Sequence, residues 1–266
     1  MDLQLNGKRA VVTGASRGIG RAIARQLALE GCDVAICART FGPLQETAAE
    51  LQKATGRQIF PIVCDMRDPE AIKTFIDQAA AALGGIEILV NSAARAVSTG
   101  PEDFESISDT ELMEQLEEKV VGYFRCARAA TPYLKKAGWG RIINLSGQYG
   151  RMPRDSTGHG ARNAAVVNLT KSMANSLGPA GINAIAVYPG FTLTEAFYER
   201  TRQDAERDGK NVETVLAEMA HNTNIRHLVT PEDVAVVIAF LCSPLAIAIQ
   251  GEAIAVNGGA NADVHY

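Results

Sequence analysis

The chain has 266 residues, 47% of them apolar and 21% charged, with a net charge of −4. That length and composition suit one large α/β domain with ample material for a core. The acidic balance leaves no electrostatic footprint for nucleic acid, and no uninterrupted apolar run approaches the ~20 residues that a membrane span needs. Cysteines 32, 37, 64, 126 and 242 lack paired spacing, and the opening residues have no signal-peptide pattern, which fits reduced thiols in a cytoplasmic protein. No metal-ligand spacing is read.

An apolar run over residues 9–12 predicts a first buried strand. Thr13-Gly14-Ala15-Ser16-Arg17-Gly18-Ile19-Gly20 comes next, and residues 21–29 read as a helix. Strand, glycine turn and helix together set a diphosphate on a helix N-terminus, where free N–H groups and the helix dipole favour an anion. Gly14 allows the turn, Gly18 leaves no Cβ beside the phosphates, and Gly20 lets helix and strand approach. The second strand, 33–37, runs into Ala38-Arg39-Thr40. An acid at that strand end would bind the ribose hydroxyls of NAD, whereas an arginine accommodates a 2′-phosphate. With Arg39 there and Arg17 in the loop, two guanidinium groups favour NADP(H) over NAD(H).

Residues 43–55 read as an amphipathic helix and 59–64 as the third strand, ahead of Asp65 and Met66. A helix over 69–83 and a fourth strand over 86–90 lead to Asn91-Ser92-Ala93-Ala94. After a polar loop, 98–108, one long helix is expected over 109–136. Its Leu112, Leu116, Val120, Val121 and Phe124 fall at helical spacing and suit either the core or a subunit interface. The fifth strand is placed at 140–146, a small-residue helix at 161–177 and the sixth strand at 184–187. Tyr188-Pro189-Gly190-Phe191-Thr192-Leu193-Thr194 comes next, then a charged stretch with helices at 194–207 and 212–221. Thr230-Pro231-Glu232-Asp233 is a helix start, with a threonine cap, proline in first position and acids in the first turn. That helix runs to 241, and the last strand is 253–256. The alternation predicts an α/β chain: a Rossmann-type doubly wound parallel sheet of about seven strands, helices on both faces, in one domain over 1–266.

The spacing Thr13-Gly-x-x-x-Gly-x-Gly20 resembles that of the short-chain dehydrogenase/reductase superfamily, and the resemblance extends over essentially the whole chain. Asn91 and Ala93 match its Asn-Asn-Ala-Gly stretch, while Ser92 and Ala94 depart from it. Pro189, Gly190 and Thr194 match the Pro-Gly-x-x-x-Thr loop that holds the nicotinamide carboxamide, with the Phe191 backbone as a further contact. Asn257-Gly258-Gly259 is similar to the closing Asp-Gly-Gly. The resemblance assigns Asp65 to the adenine ring and Met66 to the wall beside it; Asp65 also suits an N-cap. It implies a small-molecule substrate, a homodimer or homotetramer, and a lid over residues 191–229.

The superfamily's chemistry uses a tyrosine as proton donor, a lysine four residues later, a serine that polarises the carbonyl and an asparagine in the long helix. Residues 164–172 resemble the family's stretch just after the lysine. Counting back from them puts Asn163 at the lysine position and His159 at the tyrosine position. Lys119 stands at the asparagine position. Ser146 precedes the turn Gly147-Gln148-Tyr149-Gly150 and is the candidate serine. A histidine titrates near ~6.5 when unperturbed and exchanges a proton at neutral pH without a lysine's help. Lys119 is read as restoring the missing positive charge and Tyr149 as reaching the pocket from the turn. Arg162 is read as swung round the helix axis; for both cations a solvated position is the alternative. Three functions stay open. One is an oxidoreductase of carbonyls, alcohols or activated alkenes with His159 as donor. The second is a non-redox enzyme on this scaffold, running an elimination, isomerisation or hydrolysis. The third is a cofactor-binding subunit or sensor without turnover.

Overall fold

Strand segments rich in Val, Ile and Ala, with no polar residue on alternate positions, have to be covered on both faces. The computed structural model, which describes residues 1–94, 104–152 and 157–260, shows that arrangement. Strands β1 (Arg9–Thr13), β2 (Asp33–Ala38), β3 (Ile59–Val63), β4 (Ile88–Asn91), β5 (Gly140–Leu145), β6 (Ile182–Pro189) and β7 (Ala253–Val256) form one sheet. Its order is β3-β2-β1-β4-β5-β6-β7, and every pairing is parallel.

Helices α1 (Gly18–Leu29), α2 (Phe41–Thr55) and α9 (Pro231–Cys242) cover one face. Ala10 and Val12 point to that side, against Ile23, Leu27, Leu44 and Ile238. The other face carries α3 (Pro69–Leu83), α5 (Gly122–Ala137) and α6 (Thr157–Leu177). Val11 and Leu89 point there, against Phe75, Tyr123 and Val166. The period of two in β1 thus divides the core into two layers of a single domain. All five cysteines carry free thiols buried in these layers, and burial pushes the Cys32 thiol up to about 12. No helix among the described residues is long and apolar enough to cross a membrane.

Element boundaries move by a few residues from the expected ones. Helix α1 starts at Gly18, so the second and third glycines of the loop lie in its first turn. Helix α6 starts at Thr157, which puts His159 in its first turn. The cap of α3 is Asp68, whose carboxylate accepts from Glu70 N–H and Ala71 N–H; Asp65 does not serve as that cap. Residues 98–103 of the polar loop lie outside the described residues.

The long helix expected over 109–136 divides into three parts. Helix α4 (Asp109–Leu116) opens on a reciprocal capping box between Ser108 and Glu111, Glu117–Val121 form a π turn, and α5 comes after it. A π turn carries i→i+5 bonds and shifts the faces beyond it. Gln115, Lys119, Tyr123, Cys126 and Ala130 form the buried stripe. Of the apolar set Leu112, Leu116, Val120, Val121 and Phe124, only Val120 packs against the core; the first four are half-buried and Phe124 is 42% exposed.

Glycine is required in the first loop by close approach. Gly14 has φ +68°, and a Cβ there would lie 2.6 Å from the Ala93 Cα. A Cβ on Gly20 would lie 2.3 Å from the Gly14 carbonyl oxygen, so the loop folds onto itself as well as onto the strand. Gly20→Ala should therefore cost about 1–3 kcal/mol by overpacking. In urea titrations the midpoint should fall with an unchanged slope; a wild-type midpoint would show that the loop yields without strain.

Candidate active site

Beyond the carboxyl ends of the strands, at the point where the sheet order reverses between β1 and β4, lies a cleft of about 640 Å³. Open parallel sheets bind ligands at such switch points, and the volume is ordinary for a small-molecule site. The loop after β1 forms one wall with Gly14, Ser16, Arg17, Gly18, Ile19 and Gly20. Arg39 follows β2, Met66 follows β3, Ala93 follows β4, Pro189 ends β6 and Thr194 follows it.

Hydrogen bonds hold these loops in place. The Thr13 hydroxyl accepts from Ser92 N–H at 3.0 Å and Ala93 N–H at 3.1 Å, tying the end of β1 to the turn after β4. Thr47 of α2 donates to the Ser16 carbonyl at 3.0 Å. Thr194 caps helix α7 (Glu195–Arg207) by accepting from Phe197 N–H, and Glu195 pairs with Arg21 of α1 across the mouth. Helix α8 (Val212–His221) comes next in the chain. The two ends of segment 191–229 are joined by a parallel bridge between Thr192 and Val229.

Two of the expected contact residues have side chains engaged by neighbours. Asp65 forms a two-pronged ion pair with Arg67, at 3.2 and 2.9 Å, and this hydrogen-bonded guanidinium holds its carboxyl below the usual carboxylate range. Asn91 is fully buried and donates to Asn144 Oδ1 at 2.8 Å; Asn144 in turn donates to Thr170 at 2.9 Å, linking β4, β5 and α6.

A smaller cavity of about 220 Å³ adjoins the cleft, and Ile19, Lys119, Ser146 and Pro189 line both. Tyr149, His159, Arg162, Asn163, Gly190 and Phe191 complete much of its wall. The short 3₁₀ turn Gln148–Gly150 packs on the start of α6, and there the Tyr149 and His159 rings stack, 5.6 Å between centroids and 7° apart in plane. Ser146 Oγ donates to the Asn163 carbonyl at 2.9 Å, so its proton is directed at the helix backbone and not at the cavity. Lys119 Nζ donates to Asn163 Oδ1 at 2.7 Å and to the Ser146 carbonyl at 3.1 Å.

The solvated alternative for the two cations is overturned: Lys119 is 4% exposed and Arg162 5%. Burial, and secondly the Arg162 guanidinium, push the Lys119 amine well below the ordinary lysine range. Arg162, on the same wall of the smaller cavity, carries a guanidinium, which stays charged in proteins. Sequence reasoning missed Gln148 and Tyr123 as lining residues. Tyr123 lies four residues after Lys119 on the buried stripe, and that spacing was the available signal.

A family model described as enoyl-(acyl carrier protein) reductase matches residues 14–261. The 3-oxoacyl-[acyl-carrier-protein] reductase FabG of Staphylococcus aureus is 34% identical, with 95% of this chain and 97% of that protein covered. The chain belongs to the short-chain dehydrogenase/reductase superfamily. Among solved members, the L-sorbose reductase of Gluconobacter frateurii, complexed with NADPH and L-sorbose, superposes with a TM-score of 0.94 at 28% identity, covering 99% of this chain and 100% of that one. A 7α-hydroxysteroid dehydrogenase complexed with NADH and 7-oxo glycochenodeoxycholic acid gives 0.87 at 29% identity, covering 99% and 98%.

The position that the resemblance gives to lysine holds Asn163, the one it gives to asparagine holds Lys119, and the two side chains are hydrogen-bonded.

Proposed function

We propose that this chain is an NADP(H)-dependent oxidoreductase that interconverts a small carbonyl compound, or an activated alkene, and its reduced product, with His159 as proton donor. The observation that carries it is the continuity of the two cavities. One wall, through Ile19, Lys119, Ser146 and Pro189, runs from the glycine loop and its arginines to the stacked His159–Tyr149 pair.

The residues present fit a dinucleotide. Gly14 and Gly20 let the loop fold closely onto itself and onto the turn after β4, which shapes the wall of the cleft. First-turn N–H groups of α1 suit a diphosphate, and Arg17 and Arg39, both lining the cleft, suit a 2′-phosphate. Pro189, Gly190, Phe191 and Thr194 suit the carboxamide, Ser16, Gly18, Ile19 and Ala93 the backbone of the nucleotide, and Met66 the adenine side. Asp65 and Asn91 act through the loops they hold. When bound, the cofactor supplies or accepts the hydride.

The chain's own part is to deliver the proton. His159 donates it to the substrate oxygen, its ring orientation held by Tyr149. Arg162 stabilises negative charge that develops on that oxygen. Lys119, Asn163 and Ser146 lock the helix against the end of β5. Residues 191–229 form a lid whose ends are pinned by the Thr192–Val229 bridge. Buried free thiols accord with a cytoplasmic location. The half-exposed apolar set of the long helix accords with a homodimer or homotetramer.

Titration with NADPH and NADH tests the reading. NADPH should bind at least about tenfold more tightly, as expected when 2′-phosphate contacts are charge-assisted. Bound NADPH should then be consumed on adding a carbonyl compound. Absence of binding by either nucleotide would overturn the proposal.

A further inference from the structure

Lys119 sits in the middle of the π turn, buried, on the wall that the two cavities share. Its Nζ has two partners, Asn163 Oδ1 at 2.7 Å and the Ser146 carbonyl oxygen at 3.1 Å. Both are neutral acceptors, and no carboxylate among the described residues forms an ion pair with it. An uncharged amine has two N–H groups and one lone pair, whereas an ammonium has three N–H groups and no lone pair. The two acceptors satisfy the uncharged form and leave its lone pair over. The ammonium would be buried with a surplus donor and no counter-charge, an expensive arrangement.

We propose that Lys119 is held in the cleft as an uncharged amine nucleophile and is a site of imine formation with small aldehydes. This inference does not rest on the cofactor or on the role of His159. The titratable and charged groups around Lys119 are Arg162 and His159 of α6, Glu118 of its own turn, Tyr123 of α5 and Tyr149 across the smaller cavity. Burial lowers the proton affinity of the amine, and Arg162 lowers it further.

In the reaction the nitrogen lone pair attacks the carbonyl carbon. A C–N bond forms as the C=O π pair moves to oxygen, which takes one amine proton and gives a carbinolamine. Loss of that hydroxyl with the second amine proton, as water, leaves the imine. The 220 Å³ cavity admits aldehydes of a few carbons. Surface lysines make the control. Lys73 has a side chain 67% exposed and paired with Asp77 at 2.7 Å, and this hydrogen-bonded carboxylate holds its proton more tightly than usual.

The test is reductive alkylation of the full chain with propanal and sodium cyanoborohydride between pH 6.5 and 9. Peptide mapping by mass spectrometry reads the label at each lysine, and the Lys119 to Lys73 rate ratio removes the pH dependence of the reductant. The ratio should be largest at pH 6.5, at least about tenfold in favour of Lys119. Above the Lys119 midpoint it should fall about tenfold per pH unit, because the uncharged fraction of an ordinary lysine grows tenfold per unit in this range. A ratio constant with pH, or no label on Lys119 while Lys73 is labelled, overturns the proposal.

Discussion

His159→Phe should lower turnover by about 10²–10⁴-fold, the range that a positioned acid contributes, while the NADPH dissociation constant stays within about twofold. Phenylalanine keeps a flat ring against Tyr149, so the stack at 5.6 Å survives while the exchangeable proton is lost. Steady-state NADPH oxidation with the best carbonyl substrate of the wild-type chain, together with a binding titration, separates the two quantities. The surroundings of the other candidate donors accord with the proposed donor role of His159. Ser146 points its hydroxyl proton at the Asn163 carbonyl. Tyr188, the tyrosine at the end of β6, pairs with Arg151, whose guanidinium also lies 4.3 Å over its ring. Tyr149 is the remaining competitor. Tyr149→Phe should therefore cost far less than His159→Phe, and the reverse order would transfer the proton to the tyrosine. Unchanged turnover in His159→Phe would remove the histidine from the mechanism.

Arg39→Ala should weaken NADPH by about 10–100-fold and NADH by less than about twofold, because a charge-assisted bond to phosphate is worth about 1.5–3 kcal/mol. Arg17→Ala should act in the same direction, and the double variant should approach equal affinity for the two nucleotides. Both arginines line the cleft, and neither forms an ion pair among the described residues, so their charge is available to a ligand. An equal loss of both nucleotides would assign the arginines to the shared diphosphate and not to the 2′-phosphate.

Much of the cleft wall was legible in the chain because its residues lie in short runs. Gly14 to Gly20 and Pro189 to Thr194 each fold locally, and each needs only its adjoining strand and helix to face the cleft. Asp65 and Asn91 were harder. Their place at strand ends is visible in the chain, but whether each side chain turns to a ligand or to a neighbour is not. Arg67 claims one and Asn144 the other. The apolar set of the long helix shows the same limit. Helical spacing is equally well satisfied by two stripes one residue apart, and the polar Gln115–Lys119–Tyr123 stripe is the one buried.

The sequence by itself determined the fold class, the alternation of strands and helices and the glycine loop that runs into α1. These are properties of local pattern, in which hydrophobic periodicity and glycine placement act over about ten or twenty residues. Tertiary structure alone decided how Lys119, Asn163, His159 and Tyr149 meet. Lys119 and Asn163 are separated by 44 positions in the chain and 2.7 Å in space, and the π turn and the start of α6 bring them there. The burial that lowers the proton affinity of Lys119, and the packing that stacks His159 on Tyr149, are long-range consequences of closing the core. No residue pattern near either side chain encodes them, because desolvation depends on everything that surrounds a group and not on its neighbours in the chain.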